Sequence, residues 1–374
     1  MQNPIQHRAV ENSIKKIEQL LEISNSLISL SKSQFSENCA TFRNNKYRTG
    51  YVPVKIDFNR LGLKKSFYHL SSIRSSPIVK ENTIYFGSNS NYIHAVNIHS
   101  FQEIWRFRCR KEVMSTPTID DDFLYIGSFD TYFYSLYAKN GMLRWKFKTD
   151  DWIYSSPLIC NDKVIFAGMD GNIYCLNKFS GKLCWKINTQ HWVVSSPTFF
   201  ENTIIIGTRD KRLLCIDIDK GLIKWQINLS APVHASAAIY KYYVFIGDLY
   251  GNFFCVRAYD GSVKWKKQFG SAIFSSAAVS EKFVVFGTKK SGIYCLDSET
   301  ATELWHKELS CASHASPLLF DNAIITGTDN GEIVVFNLNN GNVVWSHKTE
   351  DVIRTSPYFY NGNVYITGCA LMTI

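Results

Sequence analysis

A chain of 374 residues exceeds what one hydrophobic core usually organises, so it holds either several domains or one unit repeated around a shared centre. With 45% hydrophobic, 20% charged and 14% aromatic residues, the composition excludes general disorder and favours strands. The formal charge of +9 attracts anions, but no long basic run concentrates it, which argues against a nucleic-acid partner.

Residues 1–57 precede the regular part of the chain and read as a helical and irregular extension. The opening "MQNPIQHRAVENSIKKIEQ" is polar and lacks the apolar core of a secretory signal. No later stretch is long and apolar enough to span a membrane, so the expectation is a cytoplasmic protein. Ile14, Ile17, Leu20, Leu21, Leu27 and Ile28 fall at helical spacing. That spacing predicts an amphipathic helix over 10–30, packed on the chain's own flank or docking a partner.

From 58 to 374 a single unit recurs every forty residues. Trp105, Trp145, Trp185, Trp225, Trp265, Trp305 and Trp345 keep that step without an insertion. Upstream runs a second series in which Ser or Thr precedes Pro or Ala, from Ser76-Pro77 through Ser156-Pro157 and Ser236-Ala237 to Ser356-Pro357. Units therefore begin near 75, 115, 155, 195, 235, 275, 315 and 355, eight starts against seven tryptophans. In the third unit "SSPLIC", "KVIFAG", "NIYCLN" and "KLCWKIN" are separated by Asn-Asp, Asp-Gly and Ser-Gly turns, the signature of short antiparallel strands. Four strands in about forty residues make one propeller blade.

The fold class expected is all-β, an eight-bladed β-propeller, with seven blades as the alternative. The unit begun at 355 supplies only inner strands, and 63–70 aligns with the outer strand it lacks, so the two ends of the chain would complete one blade and leave no open sheet edge. Glycines four residues before Trp145, Trp185, Trp225, Trp265 and Trp345 predict turns with positive φ. Phe101 and Ala301 stand at that place in the other two units, predicting a different turn. Cys175, Cys215, Cys255 and Cys295 share one position with Ala95, Ser135 and Val335, which calls for a small buried side chain and not a bridge. With no Cys-x-x-Cys and no adjacent cysteines, neither a zinc site nor a disulfide framework is expected.

Repeats such as "SSPLICNDKVIFAGMDGNIYCLNKFSGKLCW" resemble the pyrroloquinoline-quinone-type (PQQ-like) propeller repeat over about 63–374. Similar propellers occur at the C-terminus of β-alanine-activating enzymes and in the outer-membrane-assembly propeller lipoprotein. The resemblance implies a propeller, but not a quinone. Family members that are quinoprotein dehydrogenases hold calcium and carry adjacent cysteines over the quinone, and this sequence has no Cys-Cys pair and no large insertion to build a cover. The expected cofactors are therefore none, neither PQQ nor calcium.

In so regular a chain, the positions that vary point to function. Just before each inner strand one position is uniformly apolar, as in Ile73, Val113 and Ile153, with Ser313 the exception. Its two neighbours vary freely and, by period two, would share a face at one mouth of the central channel. One series contains Arg74, Tyr154, His234, His314 and Arg354; the other contains Glu112, Trp152 and Trp192. Ring closure would place His314, Arg354 and Arg74 in one basic arc facing an aromatic wall of Trp152, Tyr154 and Trp192. Arginine captures carboxylate or phosphate through two parallel hydrogen bonds, and aromatic rings hold a planar body.

No nucleophile elbow, zincin helix or phosphate loop appears, so no catalytic or metal-ligating residue is assigned. The reading is a non-catalytic module binding a partner protein or a small anionic ligand, alongside an acyl- or aminoacyl-activating system as the resemblance implies. The alternative is an enzyme using Arg74, Arg354, His234 and His314, with a quinone-dependent oxidoreductase behind it.

Overall fold

In the third unit, Leu158–Cys160, Lys163–Ala167, Asn172–Asn177 and Leu183–Asn188 pair antiparallel in chain order. The three inner strands are buried on both faces and therefore read as near-continuous apolar runs, whereas the outer strand alternates exposed and half-buried residues. A sheet of this kind must be covered on both sides. The computed structural model describes residues 39–68, 72–290, 292–309, 311–367 and 370–373, with 65–68 and 370–373 as backbone only. The chain divides into two units, Met1–Cys39 and Ala40–Ile374, and the second is described here. The helix expected over 10–30 lies outside the described residues.

The strands form eight sheets, and no α-helix occurs among the described residues. Seven sheets consist of four consecutive strands, the seventh being extended by Tyr51–Val52. In the remaining sheet Tyr358–Tyr360, Asn363–Thr367 and Ala370–Thr373 are joined by Lys65–Tyr68, with Lys65 opposite Thr373. Tyr358 and Tyr365 of this sheet share a core with Ile78 and Val79 of the first. Val364 and Ile366 share another with Leu318 and Phe320 of the seventh.

Neighbouring sheets meet through stacked rings such as Phe133 on Phe166, with centroids 4.0 Å apart, and Phe253 on Phe286 at 4.2 Å. Six of the seven repeated tryptophans tie their sheet to the next. The indole N–H of Trp185 donates to the carbonyl of Ile218 at 2.8 Å, and that of Trp225 to Ala258 at 2.9 Å. The glycine ahead of five of the tryptophans has two reasons to be there. Gly221 has φ +65°, and a Cβ on it would lie 2.7 Å from the Trp185 ring.

Phe101 and Ala301 correct one expectation. Both adopt positive φ, 60° and 61°, and keep the same turn hydrogen bond as the glycines, Phe101 N–H to Asn97 and Ala301 N–H to Asp297. The surrounding sheet pairing outweighs the local strain of a non-glycine residue in the left-handed region, about 1–2 kcal/mol. The cysteine position behaves as its residue types require: Cys175, Cys255 and Cys295 are fully buried, and Cys175 pairs across strands with Trp185.

The repeated Ser/Thr before Pro or Ala forms a belt from sheet to sheet. The backbone N–H of Thr116 donates to Ser156 Oγ, that of Ser156 to Ser196 Oγ at 2.9 Å, and so on through Ser276 to Ser316. The Ser356 N–H reaches Ser76 Oγ at 2.8 Å, joining the last sheet to the first.

The second compact unit begins at Ala40 and so takes in residues 40–56 of the stretch read from the sequence as an extension. Residues 40–56 run across the inner strands instead of outside them. Carbonyls of Ala40, Lys46, Tyr47, Thr49 and Gly50 accept the N–H groups of Ile119, Phe199, Ile239, Val279 and Leu319, the same position in five sheets. Inner strands are only two or three residues long and would otherwise leave these donors unpaired on the channel. Two arginines fasten the segment. Arg43 is 2% exposed and donates to the carbonyls of Pro317 (2.6 Å) and Ala277 (2.7 Å); Arg48 is fully buried and donates to Pro197 at 2.7 Å. Nothing periodic marks this segment, which explains why it read as an extension.

Candidate functional site

Each inner strand is preceded by a short irregular stretch, and its geometry decides which side chains face the axis. Ile73, Val113, Ile153 and their equivalents are buried to 1% exposure or less and pack on a glycine of the preceding sheet where one faces them, as Val113 does on Gly87. Because these stretches are not strands, period two does not hold through them. The residue after the apolar position turns into the channel, and the residue before it stays on the rim.

The channel contains a cavity of about 270 Å³. The series Arg74, Met114, Tyr154, Val194, His234, Phe274, His314 and Arg354 lines it, with the Ser/Thr belt below and Phe42 at the end closed by the 40–56 segment. Five of the eight residues expected at the mouth, Arg74, Tyr154, His234, His314 and Arg354, therefore share one cavity. Glu112, Trp152 and Trp192 do not line it. Trp152 stacks on Phe129 at 4.7 Å under the Lys111 ammonium, and Trp192 lies beneath the Arg209 guanidinium. Both indoles are substantially exposed on the rim. The expected aromatic wall is thus reduced to Tyr154, continued around the cavity by rings the sequence reading did not group with it. Tyr154 meets His234 edge-on at 5.7 Å, His234 meets Phe274 at 5.3 Å, and Phe274 meets His314 at 4.9 Å.

The basic arc contains a carboxylate that sequence reasoning missed. Asp329 lies in a hairpin turn whose backbone joins the irregular stretch, its N–H donating to the Ala312 carbonyl. Its Oδ2 meets His314 Nδ1 at 2.8 Å and Arg354 at 2.7 Å. Burial would raise the Asp329 pKa, but the hydrogen bonds from His314 and Arg354 win and hold it below the usual carboxylate range. The equivalent turn positions are Asn89, Phe129, Met169, Arg209, Leu249 and Lys289, as variable as the two series already noted. That variability was the available signal.

Arg74 is different: it makes no ion pair or hydrogen bond among the described residues. Tyr154 feels its charge and that of Arg354, although burial still raises the phenol pKa. His234 is pushed down to about 4, by burial first and then by the charges of Arg209 and His314, so it is neutral at pH 7. The cavity is thus a blind socket with one uncommitted guanidinium, one committed one and an arc of flat rings. Among the described residues, no group of three or more His, Cys, Asp or Glu is placed to hold a metal ion.

Radially packed four-stranded sheets, a forty-residue repeat and a closing tryptophan define a PQQ-like β-propeller. Within that class the chain belongs to the β-propeller family of the β-alanine-activating enzyme, whose family model matches residues 119–370. The model of the outer membrane protein assembly factor BamB matches residues 58–156. Solved structures share the fold. BamB from Moraxella catarrhalis is 17% identical with a TM-score of 0.74, covering 84% of this chain and 99% of that one. The quinohemoprotein alcohol dehydrogenase from Comamonas testosteroni is 14% identical with a TM-score of 0.78, covering 89% and 79%. A computationally designed protein, Ika8, is 18% identical with a TM-score of 0.73, covering 82% and 96%. No curated protein sequence matches the chain.

Proposed function

We propose that this propeller is a non-catalytic binding module whose channel cavity takes a small carboxylate or phosphate with a flat apolar body. One observation carries the reading: Arg74 lines the cavity with no anionic partner among the described residues, opposite flat rings. An uncommitted guanidinium in a half-buried site gains most from a bidentate oxyanion. A cavity of about 270 Å³ suits a ligand at the small end of the usual range or the end of a peptide. Membership of the β-propeller family of the β-alanine-activating enzyme supports a carboxylate from an acyl- or aminoacyl-activating system as the source. In this reading the sheet completed by Lys65–Tyr68 acts as an eighth blade, and its closing hydrogen bonds keep the socket rigid.

The residues do not fit a calcium-bound quinone. The carboxylate beside the cavity, Asp329, is already engaged by His314 and Arg354. Among the described residues His234 makes ring contacts with Tyr154 and Phe274 and no hydrogen bond that would orient it as an acid or base, which supports a binding role over a catalytic one.

Thermal shift and calorimetry with benzoate and phenyl phosphate test the proposal, with benzyl alcohol as the neutral control. Binding of the anions alone, weakened at least about tenfold in Arg74→Ala (about 1.4 kcal/mol), is the expected result. Equal binding of benzyl alcohol, or no change in Arg74→Ala, would sink it.

A second reading rests on the rim. Trp152, Trp192 and Tyr250 are exposed by 38%, 51% and 64%. Exposed tryptophans around a concave mouth are features of a protein-docking surface. A partner there would cover the socket.

A further inference from the structure

We infer that the Ser/Thr belt is an anion site on the propeller axis, deeper than Arg74 and independent of it. The belt hydroxyls, from Ser76 and Thr116 at forty-residue steps to Ser356, all line the cavity. Each belt residue is only 4–6% exposed. Seven of the eight oxygens, all but that of Ser356, serve as acceptors: the N–H of one sheet donates to the hydroxyl oxygen of the next. None of the hydroxyl hydrogens has an acceptor among the described residues. A hydroxyl whose oxygen is held by an N–H still has a hydrogen to donate, and the buried group is stabilised when it does. A ring of such donors around one axis, seven of them held by an N–H, is a socket for a compact acceptor.

The charge below the belt decides which acceptor. Arg48 donates to the carbonyls of Ser156 and Pro197, and Arg43 to those of Ala277 and Pro317, so both guanidinia lie at or one residue beyond the belt on the closed side. Among the described residues every bond of Arg43 goes to a neutral carbonyl, and its Nε is buried without a partner. A buried cation without a counter-charge raises the potential of the adjacent cavity, because burial weakens screening. Neutral water would satisfy the hydroxyls, but an anion satisfies them and the guanidinium field together. The chemistry is that of a compact anion accepting several O–H bonds: a free halide or phosphate, or the anionic head of a ligand held as proposed above. The site shares the cavity of that reading but does not need Arg74.

Bromide is the probe. Crystals of the full chain soaked in sodium bromide should show an anomalous peak on the axis within hydrogen-bonding reach of the belt hydroxyls. Bromide-81 linewidths in solution should broaden with the protein, narrow on adding phosphate, and change less than twofold in Arg74→Ala. Displacement of bromide by benzoate would identify the belt as the seat of a ligand's head group, and persistence beside benzoate would identify a separate inorganic ion. Waters alone at the belt, or broadening abolished in Arg74→Ala, would overturn the inference. A failure of benzoate to bind while bromide still occupies the axis would refute the binding-module reading and leave this one standing.

Discussion

Arg48→Met tests whether the segment over 40–56 is a structural part of the ring. Arg48 Nε donates to the Pro197 carbonyl at 2.7 Å, and its terminal nitrogens reach the carbonyls of Phe42, Ser156 and Pro157 at 3.3–3.4 Å. A charged hydrogen bond of good length contributes about 1.5–3 kcal/mol, and the longer ones together add about another 1–2 kcal/mol. Relief from burying a guanidinium offsets about 1–2 kcal/mol of this, since a buried charge is costly even when bonded. The net loss should be about 2–3 kcal/mol. In urea, with a slope of about 3 kcal/mol/M for a chain of this size, the midpoint falls by about 0.7–1 M. Fluorescence and far-ultraviolet dichroism should shift together, as required for a single transition. Arg110→Met, at an exposed arginine, is the control and should stay within about 0.5 kcal/mol. Arg48→Lys should recover only part of the loss, because a point charge cannot address several carbonyls at once. A midpoint for Arg48→Met within about 0.2 M of the parent would refute the idea that this arginine fastens the segment to the ring.

Gly221→Ala forces a Cβ against the Trp185 ring and strains a residue at φ +65°, so a loss of about 2–3 kcal/mol is expected in the same urea assay. Ala301→Gly, at φ +61° in the equivalent turn, should instead gain about 0.5–1 kcal/mol. His234 has a folded pKa near 4 against an unfolded value of about 6.5, so the unfolded chain binds the proton first. Its contribution is fully present above pH 6.5 and declines as the pH falls toward 4; His234→Phe should flatten that part of a stability-versus-pH curve. Thiol titration should label exposed Cys184 quickly. Cys175, Cys255 and Cys295, whose pKa values burial raises, should react only on unfolding.

How far the sequence reached can be followed at individual residues. Trp185, Cys175 and Ser156 announce themselves by repetition, and repetition identifies a unit that must pack on copies of itself. Gly221 was legible as a turn residue, while its contact with the tryptophan of the preceding sheet was not, because that contact crosses from one unit to the next. Asp329 was missed for a related reason. It pairs with His314 and Arg354, fifteen and twenty-five positions away, through a hairpin turn whose variability resembled that of any surface loop.

The local pattern of this chain determined its strands, its turns and the forty-residue step between sheets, because alternation, turn chemistry and a recurring indole are properties of short stretches. It also identified the variable positions, and five of them do meet in one cavity. Only the tertiary structure decided which neighbour of each apolar residue faces the axis, since the stretch before each strand is irregular and carries no period. Only it revealed that Arg43 and Arg48, in an aperiodic segment, close one end of the channel. Their partners are backbone carbonyls of distant sheets, which no side-chain pattern records.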